Sequence, residues 1–313
     1  GVTTAGASLS APEQAAVIAA IQSKNPVDVD TLTQIKSVAS SAIVAIDKIT
    51  TYADANTGDA QHTPTASDYA AIGVTGVSDT VPAGSAGLAS TSAINAALAT
   101  TPVNSGSVAT PTLVQGIVNS YAQLFAQADG TPSNTLDAAL ANATDFAHIG
   151  VDLSNLGGLT ATQSTNAVQL LSSIIDDQQT SGIDTPAKIQ ALETLAYKVA
   201  LLASGDTTTA PLVASDFAAL NITGVTNDMS YPATDMVHNN LQAVLNNIAA
   251  QAVDGSKTNT WAKLSDVVFA VTNIPTINAV DGNDIINLAE KNAGVTLTGT
   301  AGKNSAVTIT FPD

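Results

Sequence analysis

Apolar residues recur every three or four positions along most of the first 270 residues, which is the spacing of one face of an α-helix. The clearest run covers residues 31–53, where Ile35, Val38 and Ala42 are followed by Ile46. Similar stripes predict further helices at residues 11–23, 91–99, 111–128, 161–178, 186–203, 234–251 and 258–272. We therefore predict that residues 1–273 are mainly α-helical, with loops rich in Gly, Ser and Pro between the helices.

A short motif recurs three times within this helical region. Its copies are SDYAAIGV near residues 65–77, TDFAHIGV near residues 142–151 and SDFAALNI near residues 213–225. Thr65 lies three positions before Asp68, and this spacing resembles a capping box at the start of a helix. The Gly or Asn near the end of each copy tolerates the left-handed conformation that terminates helices. We predict a helix of one to two turns whose aromatic residue (Tyr69, Phe146 or Phe217) anchors a shared core rather than binds a ligand.

The order of helix, turn, motif helix, loop and helix repeats two to three times, with loops of variable length. A recurring supersecondary unit is typical of repeat proteins, in which each unit buries its apolar stripe against its neighbours. The predicted fold class is therefore mainly α, an array of small helical modules.

The pattern changes at Pro275, and residues 274–313 form a second predicted module. Apolar residues alternate with polar ones from Val295 and again from Val307, which predicts strands, with a turn at residues 299–304 between them. About three short strands are too few to close a sandwich, so this module is predicted to be a partial β-module.

Composition narrows the classes of partner. The 313 residues include 26 acidic and 9 basic residues, so the net charge is −17, and every basic residue is Lys. Without Arg and with this negative charge, nucleic acid and anionic membrane surfaces are poor partners. No apolar run reaches the length of a membrane span, and the absence of Cys excludes disulfides and thiolate chemistry. The acidic surface suits divalent cations, although solubility alone also explains it.

No catalytic or cofactor-binding signature occurs, so we expect that the protein is not an enzyme. The chain has no Gly-x-Ser-x-Gly elbow, no P-loop and no Rossmann glycine pattern. His62, His148 and His238 lack the spacing of zinc ligands. The adjacent acids Asp176 and Asp177 are interpreted as part of a solvated helix face.

A second acidic group follows the long helix predicted at residues 31–53. Asp54, Asn56 and Asp59 have the spacing of the first ligands of an EF-hand loop. The distant bidentate Glu of such a loop is missing, so we favour a turn that ends the helix.

The last 38 residues carry a family resemblance. Residues 276–290 read TINAVDGNDIINLAE, and residues 294–300 read GVTLTGT. This segment resembles the opening of a bacterial Ig-like repeat, as found in giant surface adhesins and biofilm-associated proteins. The resemblance implies an extracellular or cell-surface protein, built as a string of non-enzymatic modules, with calcium at the module junctions.

Four residues match the carboxylate-rich opening in which such ions sit, namely Asp281, Asn283, Asp284 and Glu290. Their side chains offer the hard oxygen ligands that calcium prefers. The alternative interpretation is a polar linker with a capped short turn.

These features lead us to expect a stalk or spacer of a large bacterial surface protein, stiffened by calcium at its junctions. Its partners would be neighbouring modules of the same polypeptide or copies of itself. The chain ends at Asp313, before an Ig-like domain would close. A second hypothesis is therefore a subunit of a self-assembling surface layer or filament, completed by β-strand exchange. A third and more remote hypothesis is a carbohydrate-binding or hydrolase module, which no sequence motif supports.

Overall fold

The computed structural model describes residues 8–55, 62–82, 85, 87–130, 141–232, 236–251 and 253–272, together with the backbone of 276–277 and 299–300. The α-helices within these residues are α1 (Ala11–Gln22), α2 (Leu32–Asp54), α3 (Ala66–Ala71), α4 (Thr91–Leu98), α5 (Pro111–Gln127), α6 (Ala143–His148), α7 (Ala161–Asp176), α8 (Pro186–Ala203), α9 (Ala214–Ala219), α10 (Leu241–Ala249) and α11 (Trp261–Thr272). The prediction of a mainly α-helical chain is confirmed.

Four helix pairs follow one another along the chain: α1 with α2, α4 with α5, α7 with α8, and α10 with α11. The second helix of each pair begins after a threonine whose side-chain oxygen accepts a hydrogen bond from a first-turn backbone N–H. These threonines are Thr31, Thr110, Thr185 and Thr260, and the last three differ successively by 75 in residue number. The motif helices α3, α6 and α9 follow the first three pairs. We call each helix pair, with the motif helix that follows it where there is one, a repeat, and we call the second helix of the pair its long helix. The repeat is therefore more extensive than its three motif copies indicate.

Packing between the pairs follows a single rule. The first helix of each pair contacts the second helix of the next pair, as α1 contacts α5, α4 contacts α8 and α7 contacts α11. The second helix contacts the first helix of the next pair, as α2 contacts α4, α5 contacts α7 and α8 contacts α10. One cluster of buried apolar residues runs from Ala16 in α1 to Val268 in α11. Such nearest-neighbour stacking is the geometry of a helical repeat array.

The helix predicted at residues 234–251 begins later than its apolar pattern indicates, at Leu241. The backbone before Leu241 pairs instead with the connection that follows α9, where the Asp228 N–H donates to the His238 carbonyl at 2.8 Å. The Asn240 amide nitrogen donates to the Gly224 carbonyl at 2.8 Å, and its amide oxygen accepts from the Thr226 N–H at 2.9 Å. The backbone and the Asn240 side chain are thus bonded to the preceding connection, which leaves these residues outside the helix.

Strand structure is confined to two short pairs within the described residues. β1 (Val77–Ser78) pairs in parallel with β2 (Ala89–Ser90). β3 (Thr276–Ile277) pairs antiparallel with β4 (Gly299–Thr300). The prediction of a turn at residues 299–304 is therefore wrong at its first two positions, because Gly299 and Thr300 form a strand that pairs with a segment distant in sequence. The rest of the β-module predicted at residues 274–313 lies outside the described residues.

Candidate functional site

The predicted calcium ligands Asp281, Asn283, Asp284 and Glu290 all lie outside the described residues. The calcium site therefore stays a prediction. Within the part of the chain that the structure describes, no group of three or more His, Asp or Glu side chains is arranged to hold a metal ion.

Asp54 is the last residue of α2, the helix predicted at residues 31–53. Its Oδ1 atom accepts a hydrogen bond of 2.8 Å from the Ser105 N–H, at the start of the short 3₁₀ turn that precedes α5. That backbone hydrogen bond lowers the pKa of Asp54. The carboxylate therefore links the first repeat to the second, while Asn56 and Asp59 lie outside the described residues.

The interpretation of Asp176 and Asp177 as a solvated face is wrong, because their side chains are only 5% and 8% exposed. Asp177 Oδ2 accepts a hydrogen bond of 2.8 Å from Asn221 Nδ2, at the end of the motif helix α9. Burial raises the pKa of Asp177, and the bond from Asn221 partly offsets that rise. Asn221, just after α9, thus contacts the residue that follows α7 and helps to bury it.

The aspartate of each motif copy caps its own helix. In the first copy, Asp68 Oδ2 accepts from the Thr65 N–H at 2.8 Å and from Lys48 Nζ, on α2, at 2.8 Å. In the third copy, Asp216 Oδ2 accepts from the Val213 N–H at 3.0 Å and from a lysine of α8 at 3.0 Å. One carboxylate thus caps the motif helix and ties it to the preceding long helix.

The second copy replaces the lysine by a hydroxyl group. Asp145 Oδ1 lies 3.1 Å from Ser120 Oγ, and the same hydroxyl lies 3.1 Å from His148 Nδ1. The three side chains are therefore ordered Asp–Ser–His. A hydrolytic triad needs His between Asp and Ser, so that the imidazole can take the hydroxyl proton. Ser120 is also buried, and this arrangement suits a structural hydrogen-bond bridge.

The aromatic residues of the motif are buried as predicted: Tyr69, Phe146 and Phe217 are inaccessible to solvent. The Tyr69 hydroxyl donates to Asn95 Oδ1 at 2.5 Å. Asn95 Nδ2 in turn donates to the Pro64 carbonyl at 2.8 Å. The first copy therefore joins α4 of the next repeat by a hydrogen bond as well as by packing.

The end of each motif helix also follows the prediction. Gly73 and Gly150 have φ of 81°, and Asn221 has φ of 56°. In the first copy the Val74 N–H donates to the Tyr69 carbonyl at 3.0 Å, which is the long bond of a Schellman motif. A Cβ atom at Gly73 would lie 3.0 Å from the Ala19 carbonyl oxygen, so the glycine also permits close approach to α1.

A glutamine side chain fastens the chain just after the motif. Gln115 Oε1 accepts from the Thr75 N–H at 2.9 Å, and Gln115 Nε2 donates to the Thr75 carbonyl at 3.1 Å. Gln190 does the same to Asp152, with distances of 2.7 Å and 2.9 Å. Each glutamine belongs to the long helix of the next repeat, so we call these two contacts the first and second repeat joints.

The third repeat joint uses a different side chain. Trp261, the first residue of α11, donates its indole N–H to the Leu220 carbonyl at 2.7 Å. Leu220 is the residue that directly follows α9. All three joints therefore hold the chain near the end of a motif helix with a side chain from the following repeat.

A groove of about 600 Å³ opens between the start of α6, the 3₁₀ turn Ser154–Gly158 and α7. Its lining is mostly apolar and includes Leu156 and Val168. Ser172 Oγ is buried at its wall without a hydrogen-bond partner. None of the described residues that line the groove is titratable, so acid–base chemistry has no candidate there.

The fold and the joints together define a mainly α-helical repeat protein. No described helix is both long enough and apolar enough to cross a membrane. Comparisons of the chain with protein-family models, with curated proteins and with solved structures find no match.

Proposed function

We propose that this chain is a stiff spacer segment of a large bacterial surface protein. The observation that carries the proposal is the repeated joint, in which a side chain of one repeat fastens the backbone at the end of the previous motif helix. A spacer must keep its two ends apart without bending, and rigid contacts between neighbouring repeats resist such bending.

Two features of each glutamine joint favour stiffness. Gln115 pairs with both polar groups of the Thr75 backbone, so it fixes the direction of the chain as well as its position. The buried apolar cluster then passes through the joint without interruption, because residues on both sides belong to it. Bending at a joint would break the hydrogen bonds and expose apolar surface to water.

The extracellular part of the proposal rests on the resemblance of residues 276–313 to an Ig-like repeat. Asp281, Asn283, Asp284 and Glu290 would hold calcium where the helical array meets the β-module. Carboxylates packed side by side repel each other unless a cation lies between them. Extracellular modules bind calcium with dissociation constants of about 10⁻⁴–10⁻³ M, so such a site would fill only outside the cell.

Calorimetric titration of the intact chain with calcium tests this site. We expect binding in the millimolar range or tighter, and its loss in Asp284→Ala. Asp266→Asn, on the exposed side of α11, is the matched control and should bind as the unaltered chain does. Absence of binding, or equal binding by Asp284→Ala, would show that the junction is an ordinary linker.

Small-angle scattering of the same samples tests the spacer role. We expect the chain to be a monomer at every concentration. We also expect the helical array to scatter as one rigid particle. Large ordered assemblies would instead favour the surface-layer hypothesis, in which strands of one chain complete the sheet of another. Independent motion of the helix pairs would contradict a stiff spacer.

A further inference from the structure

A carboxyl group occupies an apolar position of the repeat. Glu193 lies eight residues after Thr185, the threonine that precedes α8. The residues eight positions after Thr110 and Thr260 are Val118 and Val268. All three side chains are buried, with exposed fractions of 1% for Glu193, 1% for Val118 and 0% for Val268. The third repeat therefore places an ionisable group where the second and fourth repeats place valine.

Glu193 contacts the second repeat joint directly. Its Oε2 atom accepts a hydrogen bond of 2.8 Å from Gln190 Nε2, the same nitrogen that donates to the Asp152 carbonyl. Its Oε1 atom is buried without a hydrogen bond of ordinary geometry, and the side chains of Asn155 and Thr194 also act on this carboxyl group. At the first joint, Gln115 Nε2 instead donates to the neutral amide oxygen of Asn119, at 2.9 Å.

No described cation balances this carboxylate. On its own helix, Lys188 is paired with Asp184, and Lys198 is paired with Asp216. Among the helices packed against α8, α7 adds only acids, Asp176 and Asp177, at its end. Neither α4 nor α10 carries a charged residue.

Asp152 supplies further negative charge from the connection that precedes α7. Burial raises the pKa of Glu193, and Asp152 adds to this rise, while the side chains of Asn155, Gln190 and Thr194 partly offset it. Burial without a neighbouring cation makes the charged form of this carboxyl group more costly than it is in water.

We propose that Glu193 makes the second repeat joint sensitive to pH, so that the joint is closed most firmly in acid and opens more readily as the side chain ionises. Opening lets the carboxylate reach water and releases the bonds between Gln190 and Asp152. The first joint, where Gln115 donates to the neutral Asn119 amide instead of a carboxyl group, lacks this response. The behaviour belongs to the joint and does not depend on the spacer role.

The direction of the response follows from the raised pKa. Below the ordinary pKa of a glutamate the group is neutral in both the closed and the open joint, so the closed joint is at its firmest. Between the ordinary and the raised pKa, the open fraction grows by up to tenfold for each pH unit. Above the raised pKa it stays level, because the group is ionised in both states.

Hydrogen exchange of the intact chain between pH 4 and 8 tests the proposal, after correction for the intrinsic rate at each pH. The peptide covering residues 151–156 reports the second joint. We expect its protection to fall as the pH rises and to become constant with pH in Glu193→Gln. Glu193→Val, which copies Val118, should also remove the response and remains informative if the glutamine variant folds poorly.

Two internal controls separate the joint from the whole molecule. The peptide covering residues 74–76 reports the first joint, where Gln115 donates to the neutral Asn119 amide, so its corrected protection should change less over the same pH range than that of residues 151–156. Asp266→Asn, on an exposed helix face, should leave the response of residues 151–156 intact. The proposal is overturned if both Glu193→Gln and Glu193→Val show a response as large as that of the unaltered chain. It is also overturned if the unaltered chain shows no response.

Discussion

Lys48 and Asp68 form an ion pair in which Nζ and Oδ2 are 2.8 Å apart, and the same oxygen caps α3. Lys198 and Asp216 repeat the arrangement at 3.0 Å in the third repeat. The pair thus recurs in the first and third copies and ties the motif helix to the long helix before it, whereas Ser120 takes the place of the lysine in the second copy.

Asp68→Asn should lower the free energy of unfolding at pH 7 by about 1–2 kcal/mol, since it weakens a cap and removes a partly exposed ion pair. Burial alone would raise the pKa of Asp68, but hydrogen bonds from Lys48 and Thr65 outweigh it and lower the pKa. The stabilisation is therefore complete above the ordinary aspartate pKa and is lost as the pH falls through the lowered one. Urea unfolding at pH 7 and below pH 3 should show the difference shrinking in acid.

Asp145→Asn is the matched comparison for that experiment. Asp145 caps α6 in the same way, but its side-chain partner is Ser120 rather than a lysine. We expect a smaller loss at pH 7 than in Asp68→Asn. Equal losses in the two variants would mean that the lysine contributes nothing measurable.

Phe217→Ala should cost about 3–5 kcal/mol, because it removes a fully buried ring from the continuous core. Val213→Ala, at an exposed position just before the same helix, should change stability by less than about 0.5 kcal/mol. Denaturant melts of the intact chain measure both. If Phe217→Ala had an effect as small as that of Val213→Ala, the motif aromatic would not anchor the core.

Gly73→Ala should destabilise the protein by about 1–3 kcal/mol, since a side chain at φ of 81° is strained and its Cβ would press on the Ala19 carbonyl. Gly157→Ala is the control, because a Cβ atom there meets no atom within 4 Å. Thermal melts should separate the two variants clearly. A neutral Gly73→Ala would indicate that α1 and α3 shift apart at little cost.

Gln115→Ala should raise hydrogen exchange at residues 74–76 by about tenfold or more, because both bonds to the Thr75 backbone are lost. Asn119→Ala removes only the neighbouring amide that accepts from Gln115, so its effect should be smaller. Unchanged exchange in Gln115→Ala would show that packing alone holds the first joint.

Local pattern in the sequence predicts the helices and the motif, because apolar spacing, capping residues and the Gly or Asn that ends each motif helix act over a few positions. The joints escape such reasoning. Gln115 and Thr75 are 40 residues apart, and glutamine on a helix surface has no distinctive local pattern. The burial of Asp177 has no local signal for the same reason, since Asn221, which bonds to it, is 44 residues away.

Glu193 could have been found from the sequence alone. The Thr-Pro pairs at residues 110–111 and 185–186 set a common register, in which Glu193 falls on the position of Val118. An ionisable residue at an apolar repeat position is visible once the copies are aligned by their helix starts. The calcium prediction at Asp284 and its neighbours had no such register, because it depends on a resemblance confined to the last 38 residues.

The joints also determine where this protein can change during evolution. Each one fixes the chain beside the end of a motif helix, and the connection to the next repeat starts from that fixed point. These connections already differ in length: α3 and α4 are separated by residues 72–90, but α6 and α7 only by residues 149–160. Because closing a longer loop costs little extra entropy, insertions there would leave the stack intact. New surface chemistry could therefore be acquired at these connections without redesigning the helices that carry them.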